Sequence, residues 1–137
     1  MVTRKIKWKK PSSKTAKIVY MSPDEYIERI NIRNRLSDYE IREYKKRALN
    51  AGARGIRYYP PFSEKNKERL KKAMLKGNEM EIPWVEYEDF RLREQEGFHR
   101  AMACKDLGVK RMPVAVYGYL PSLWKKAPHS IYKEVKK

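Results

Sequence analysis

Five consecutive residues, Glu96-Gly97-Phe98-His99-Arg100, place an acid, a glycine, an imidazole and a guanidinium directly before a small-residue helical run of Ala101, Ala103, Cys104 and Leu107. The first turn of a helix has backbone N–H groups without intrahelical partners and a partial positive charge, so an anion is favoured there. Arg100 can hold two phosphate oxygens in its planar fork. His99 can donate a hydrogen bond or shuttle a proton near neutral pH, and Gly97 lacks the Cβ that would obstruct backbone donors. Gly97, His99 and Arg100 are therefore the expected phosphate or nucleotide site. Glu96 and His99 are the candidate catalytic residues, with Glu96 able to hold a metal-bound phosphate or to act as a general base. The same residues also fit plain structural roles. A carboxylate at a helix start complements the dipole, and a histidine there can be a satisfied, half-buried side chain.

The flanking sequence indicates what must position these residues. Gly108 stands where a helix C-cap is expected, and Pro113 leads into the apolar strand Val114-Ala115-Val116-Tyr117. Upstream, residues 90 to 93 read as a strand that delivers the box to one rim of a sheet, and Pro83 marks an edge or entry position in the strand-like run 81 to 87. Ile18-Val19-Tyr20-Met21 reads as a strand that turns directly into a helix at Ser22-Pro23-Asp24-Glu25, with Tyr26, Ile27 and Ile30 on its core face. A second capping box, Ser37 to Glu40, opens a helix ended by Gly52. Its Ile41, Tyr44, Ala48 and Leu49 share one side, and Arg42, Lys45, Lys46 and Arg47 lie largely away from it. A third helix runs from the Ser63 cap to Gly77, with Leu70, Ala73 and Met74 inward. Between the last two, Tyr58, Tyr59 and Phe62 lie among Arg54 and Arg57, a pattern that suits base stacking or the pinning of a loop to a core.

Glu96-Gly97-Phe98-His99-Arg100-Ala101, followed by Leu107-Gly108 and Met112-Pro113-Val114, resembles the second signature box of the ParB/sulfiredoxin superfamily, in the form its compact plasmid- and phage-type ParB-like domains carry. The likeness covers about 25 residues. Residues 17 to 30 and 80 to 87 fit the family's first strand–helix and its central strand more loosely, and residues 32 to 77 align with no part of it. The resemblance implies an α+β fold, a small mixed β-sheet flanked by helices. A ParB/sulfiredoxin-like domain is then expected over 18–120, with a helical insertion at about 33–78, between a basic flexible arm at 1–17 and a basic tail at 121–137. It implies a DNA-associated protein of a plasmid or phage, with a possible nucleoside triphosphate and Mg2+ at the box. Its alternative is an enzyme, either a metal-assisted DNA nuclease or a nucleotide-dependent phosphotransferase. Sulfiredoxins carry a cysteine just before the His-Arg pair. Phe98 stands there in this chain, so repair of oxidised cysteine is not expected. Residues 119–137 are too few for a helix-turn-helix, which argues against a complete partition protein.

Charge points to the same class of partner. Thirty-three Lys and Arg against 17 Asp and Glu give a net charge of +16, which favours a polyanion. Nucleic acid is expected, DNA before RNA, with Arg54, Arg57, Lys67, Lys71, Lys72, Arg91 and Arg93 as contacts. With Asn66 as its only amide side chain, the third helix suits phosphates better than base edges. The alternative is the solvated surface of a heat-adapted protein, although such proteins gain glutamate along with lysine. Cys104 is the only cysteine, so an intramolecular disulfide is impossible, and His99 and His129 are the only histidines. No metal site is expected from them, and the cysteine usage suits the cytoplasm. No apolar stretch approaches the roughly 20 residues of a membrane span. Oligomeric state is open.

Overall fold

A computed structural model of the chain describes residues 5–11, 16–54, 57–88 and 91–118. The expected tail at 121–137 lies outside these residues, as does much of the expected arm at 1–17. In chain order the elements are β1 (Lys7–Lys9), β2 (Lys17–Met21), α1 (Pro23–Arg29), a 3-10 turn (Ile32–Asn34), α2 (Asp38–Asn50), α3 (Glu64–Leu75), β3 (Glu79–Glu81), β4 (Trp84–Glu88), β5 (Arg91–Glu96), α4 (Phe98–Asp106) and β6 (Met112–Tyr117).

Serine caps start three of the four α-helices among the described residues. The hydroxyl of Ser22 accepts from the N–H of Glu25, that of Ser37 from Glu40 and that of Ser63 from Asn66. Only at Ser37 is the box reciprocal, with the Glu40 carboxylate accepting from the Ser37 N–H. The Glu25 carboxylate turns instead to Arg29, 2.7 Å from its Nε.

The main sheet has the order β2-β6-β4-β5, antiparallel at β2/β6 and β4/β5 and parallel at β6/β4. The chain thus forms a small α+β domain with a mixed sheet. Residues 112 to 116 of β6 are all buried, as befits a strand flanked on both sides. Pro113 is tolerated within it because β4 joins β6 only from Ala115 onward, so the missing N–H breaks no ladder on that side. Val19, Met21, Val85, Leu92, Val114 and Val116 form the core with Tyr26 of α1, with Ile30 at its C-cap and with Ala101 and Cys104 of α4. Arg29 joins them, only 1% exposed. Its Nη1 donates to the Tyr87 hydroxyl at 2.8 Å, and Glu25 lies at its Nε.

Two findings depart from the sequence reading. Lys7–Lys9, placed in the flexible arm, form β1 and pair in parallel with β3, so the run 80–87 is split between two sheets. The self-repulsion of the lysines is offset because Lys7 and Lys9 stand beside Glu79 and Glu81, while Trp8 packs against the core beside Met80. Secondly, α2 buries no residue: Ile41, Tyr44 and Ala48 are half-buried and Leu49 is exposed. Its apolar side has no full layer to face, since its main neighbour is the 3-10 turn. Within residues 33–78, expected as a helical insertion, α3 packs along α4 and buries Met74.

Candidate functional site

The box lies at the turn from β5 to α4. Gly97 is buried, with φ +145°, and a Cβ built there would come within 2.4 Å of the Pro83 Cβ and 2.9 Å of the Tyr26 hydroxyl. Internal packing by itself therefore requires glycine here, in addition to the ligand approach for which the missing Cβ was expected. The Tyr26 hydroxyl donates to Gln95 Oε1 at 2.9 Å and lies 3.3 Å from the Trp84 carbonyl. Burial pushes this phenol well above its ordinary range, so it stays a neutral donor.

Arg100 is held internally. Both terminal nitrogens of its fork donate to the Glu96 carboxylate, and Nη2 also reaches the Glu96 carbonyl at 3.2 Å. This is an i,i+4 pair across the first turn, with the arginine side chain 12% exposed and the glutamate 54%. The two groups expected to meet a phosphate and to act as a base are thus each other's partners.

His99 also has a structural partner. Its Nε2 accepts the backbone N–H of Ser63 at 2.8 Å. The ring lies 5.5 Å from Phe62 in a stacked arrangement and meets Phe98 edge-on. Accepting at Nε2 assigns the proton of the neutral ring to Nδ1. Burial lowers its pKa, partly opposed by Glu96.

A cleft of about 270 Å³ remains at this helix start, lined by Gln95 to Arg100 on one side and by Pro60, Asn66, Arg69 and Leu70 on the other. Arg69 and Asn66 were not assigned from sequence. They belong to α3, in the stretch that aligns with no part of the ParB-like pattern, and only the packing of α3 on α4 brings them here. Arg69 Nη2 donates to Asn66 Oδ1.

Lys67 and Lys71, expected to contact nucleic acid, are bound within the protein. Lys67 is 8% exposed. Its Nζ lies 2.6 Å from Asp106 and 2.8 Å from Glu64, and Lys71 lies 3.3 Å from both Asp106 and Glu68. A hydrogen bond from Lys67 holds the Asp106 carboxyl below its usual range, and Asp106 in turn raises Lys67. This network fastens α3 to the last turn of α4. Arg93 is exposed but pairs with Glu88 at 2.6 Å. Arg91 opens β5, and its side chain lies outside the description. Arg54, Arg57 and Lys72 do face solvent.

The aromatic loop pins itself to the body: Tyr59 stacks on Phe98, Phe62 meets Phe98 and His99, and the Arg33 guanidinium sits 4.4 Å over Tyr58. The Cys104 thiol is buried, which pushes its pKa up to about 12 and leaves it protonated. Among the described residues, no three His, Cys, Asp or Glu side chains converge as metal ligands, and no helix is long and apolar enough to cross a membrane.

No protein-family model matches this chain, and the comparisons with curated proteins and with solved structures give no significant match.

Proposed function

We propose that this protein is DNA-associated and ParB-like, of the plasmid or phage type, and that it holds nucleic acid mainly through phosphates. The observation that carries the reading is how charge is segregated. Of the buried or half-buried cations, Arg29, Lys67, Lys71 and Arg100 have carboxylate partners, and Arg35 donates to the Arg93 carbonyl. Lys9, Lys10, Arg42, Lys45, Arg47, Arg54, Arg57, Lys65, Lys72 and Lys76 are exposed and have no ion pair among the described residues. Internal pairing thus consumes acids and leaves the positive surplus facing water, where a polyanion meets it without first breaking the fold. The ParB-like part of the reading is supported by the Glu-Gly-x-His-Arg box lying at a strand-to-helix turn, with the Leu-Gly segment at the end of α4 and the x-Pro-Val segment opening β6.

The cleft at residues 97 to 100 is the proposed phosphate or nucleotide site. Its volume of about 270 Å³ falls just below the roughly 300–1,000 Å³ of typical ligand pockets, so it suits a single phosphate-bearing group better than a whole nucleoside triphosphate. Arg69 and the first N–H groups of α4 would hold that group, and Arg100 would join them by exchanging Glu96 for phosphate oxygens. Mg2+ fits less well, because Glu96 is the cleft's only carboxylate and it already faces Arg100. Nor does the geometry favour the nuclease or phosphotransferase alternative, with Glu96 bound to Arg100 and the Nε2 lone pair of His99 bound to Ser63.

Anisotropy titration of a labelled DNA duplex at graded salt tests the proposal. Three phosphate contacts imply a log–log slope near −3, an affinity loss of roughly 40-fold between about 50 and about 200 mM monovalent salt. Reversing Arg54, Arg57 and Lys72 to glutamate should weaken binding strongly, whatever the sequence. Absence of binding at low salt, or a slope near zero, would refute it.

A further inference from the structure

The four-stranded sheet has a second face. Register places Ile18 beside Ala115, Tyr20 beside Pro113, Trp84 beside Ala115 and Glu86 beside Tyr117, all on the side opposite the core residues Val19, Val85 and Val114. Ile18 and Tyr20 on this face are 37% and 51% exposed. Trp84 and Tyr117 are half-buried and meet edge to face, with centroids 6.1 Å apart and planes at 90°. A T-shaped pair covers one face of one ring, so aromatic surface remains free.

Beside these rings opens a hollow of about 310 Å³, walled by Lys9 at the end of β1, by Lys10 and Pro11 after it, and by Glu81 and Ile82. Lys9 and Lys10 are exposed and have no ion pair among the described residues, so two cations face one carboxylate there. The volume is at the lower end of small-ligand sites and matches one nucleotide unit; a duplex, whose bases are already stacked, cannot enter it. Aromatic rings for a base, with lysines within a residue's reach for its phosphate, are what sequence-tolerant single-strand binding uses.

We propose that this hollow is a stacking site for one nucleotide of single-stranded nucleic acid, the base against Trp84 and Tyr117 and the phosphate at Lys9 and Lys10. The inference rests on the nucleic-acid reading above and adds to it a strand preference and a second hollow, which shares no lining residue with the Glu96–Arg100 cleft although Trp84 pairs with Glu96 across β4 and β5.

The full chain is titrated with an oligo-dT of about 12 nucleotides and with a duplex of equal length, followed by anisotropy and tryptophan emission. Single-strand binding should quench emission. Trp84→Leu should weaken it by about ten-fold and remove most of the quench, with duplex affinity changed less than about two-fold. Lys9→Ser with Lys10→Ser should weaken single-strand binding and flatten its salt slope by about 1 to 1.5. These lysines are exposed, so that double variant carries the test if Trp84→Leu fails to fold. Unchanged single-strand affinity in the lysine variant, or equal losses on both substrates, overturns the stacking site; so does an unquenched complex. If the wild-type chain binds neither substrate, the nucleic-acid reading itself fails. Duplex binding without single-strand binding refutes only the site proposed here.

Discussion

The backbone N–H of Ser63 donates to Nε2 of His99 at 2.8 Å, joining the cap of α3 to the first turn of α4 across 36 residues of chain. The bond exists only while the imidazole is neutral, because a protonated ring has no lone pair to accept with. Burial lowers the His99 pKa below its ordinary 6.5, so the unfolded chain binds the proton more readily than the folded one. The stability from this contact is therefore complete above about pH 6.5. It is lost as pH falls from there through the folded-state value, and is level below it. Urea melts across this range should show that loss in the wild type and a smaller one in His99→Ala. Equal pH dependence in both would assign the effect to other groups.

Gly97→Ala should destabilise the fold by at least about 2 kcal/mol, through backbone strain at positive φ and overpacking. The added methyl would meet the Pro83 Cβ at 2.4 Å. Gly108→Ala is the control, since it shares a positive φ but has open space around it. Thermal unfolding of both variants separates the clash from the backbone cost, and similar losses would remove Pro83 from the explanation.

Glu96→Gln should strengthen binding of inorganic phosphate or a mononucleotide several-fold, by releasing Arg100 from its carboxylate and removing a like charge from the cleft. Calorimetric titration reads this directly. If affinity falls instead, Glu96 contributes to ligand binding and is not Arg100's competing partner.

Lys67→Gln should lower the melting temperature while leaving DNA affinity nearly unchanged, because Lys67 serves Asp106 and Glu64 inside the structure. Lys72→Gln, at an exposed position on the same helix, should do the reverse. A DNA-binding defect in well-folded Lys67→Gln would return that residue to the interface.

Much of the architecture was legible in the chain. The apolar, β-forming run Ile18 to Met21, serines at positions 22, 37 and 63, and the glycine bracket around α4 each act over a few residues, so local pattern specifies backbone conformation. The apolar strand read over Val114 to Tyr117 likewise lies within β6. Partners of side chains were not legible in the same way. Glu96 and Arg100 stand at i,i+4, and that spacing permits a mutual pair as well as two free ligands. Lys67 looked like any surface lysine until α3 came to lie against Asp106 of α4. Gly97 was recognised as special, yet the reason lies in Pro83, fourteen positions away and on another strand connection. Backbone conformation follows from short-range sterics and hydrogen bonding. Which charge neutralises which, and which glycine meets which wall, is set by through-space distances that exist only once the helices have packed on the sheet.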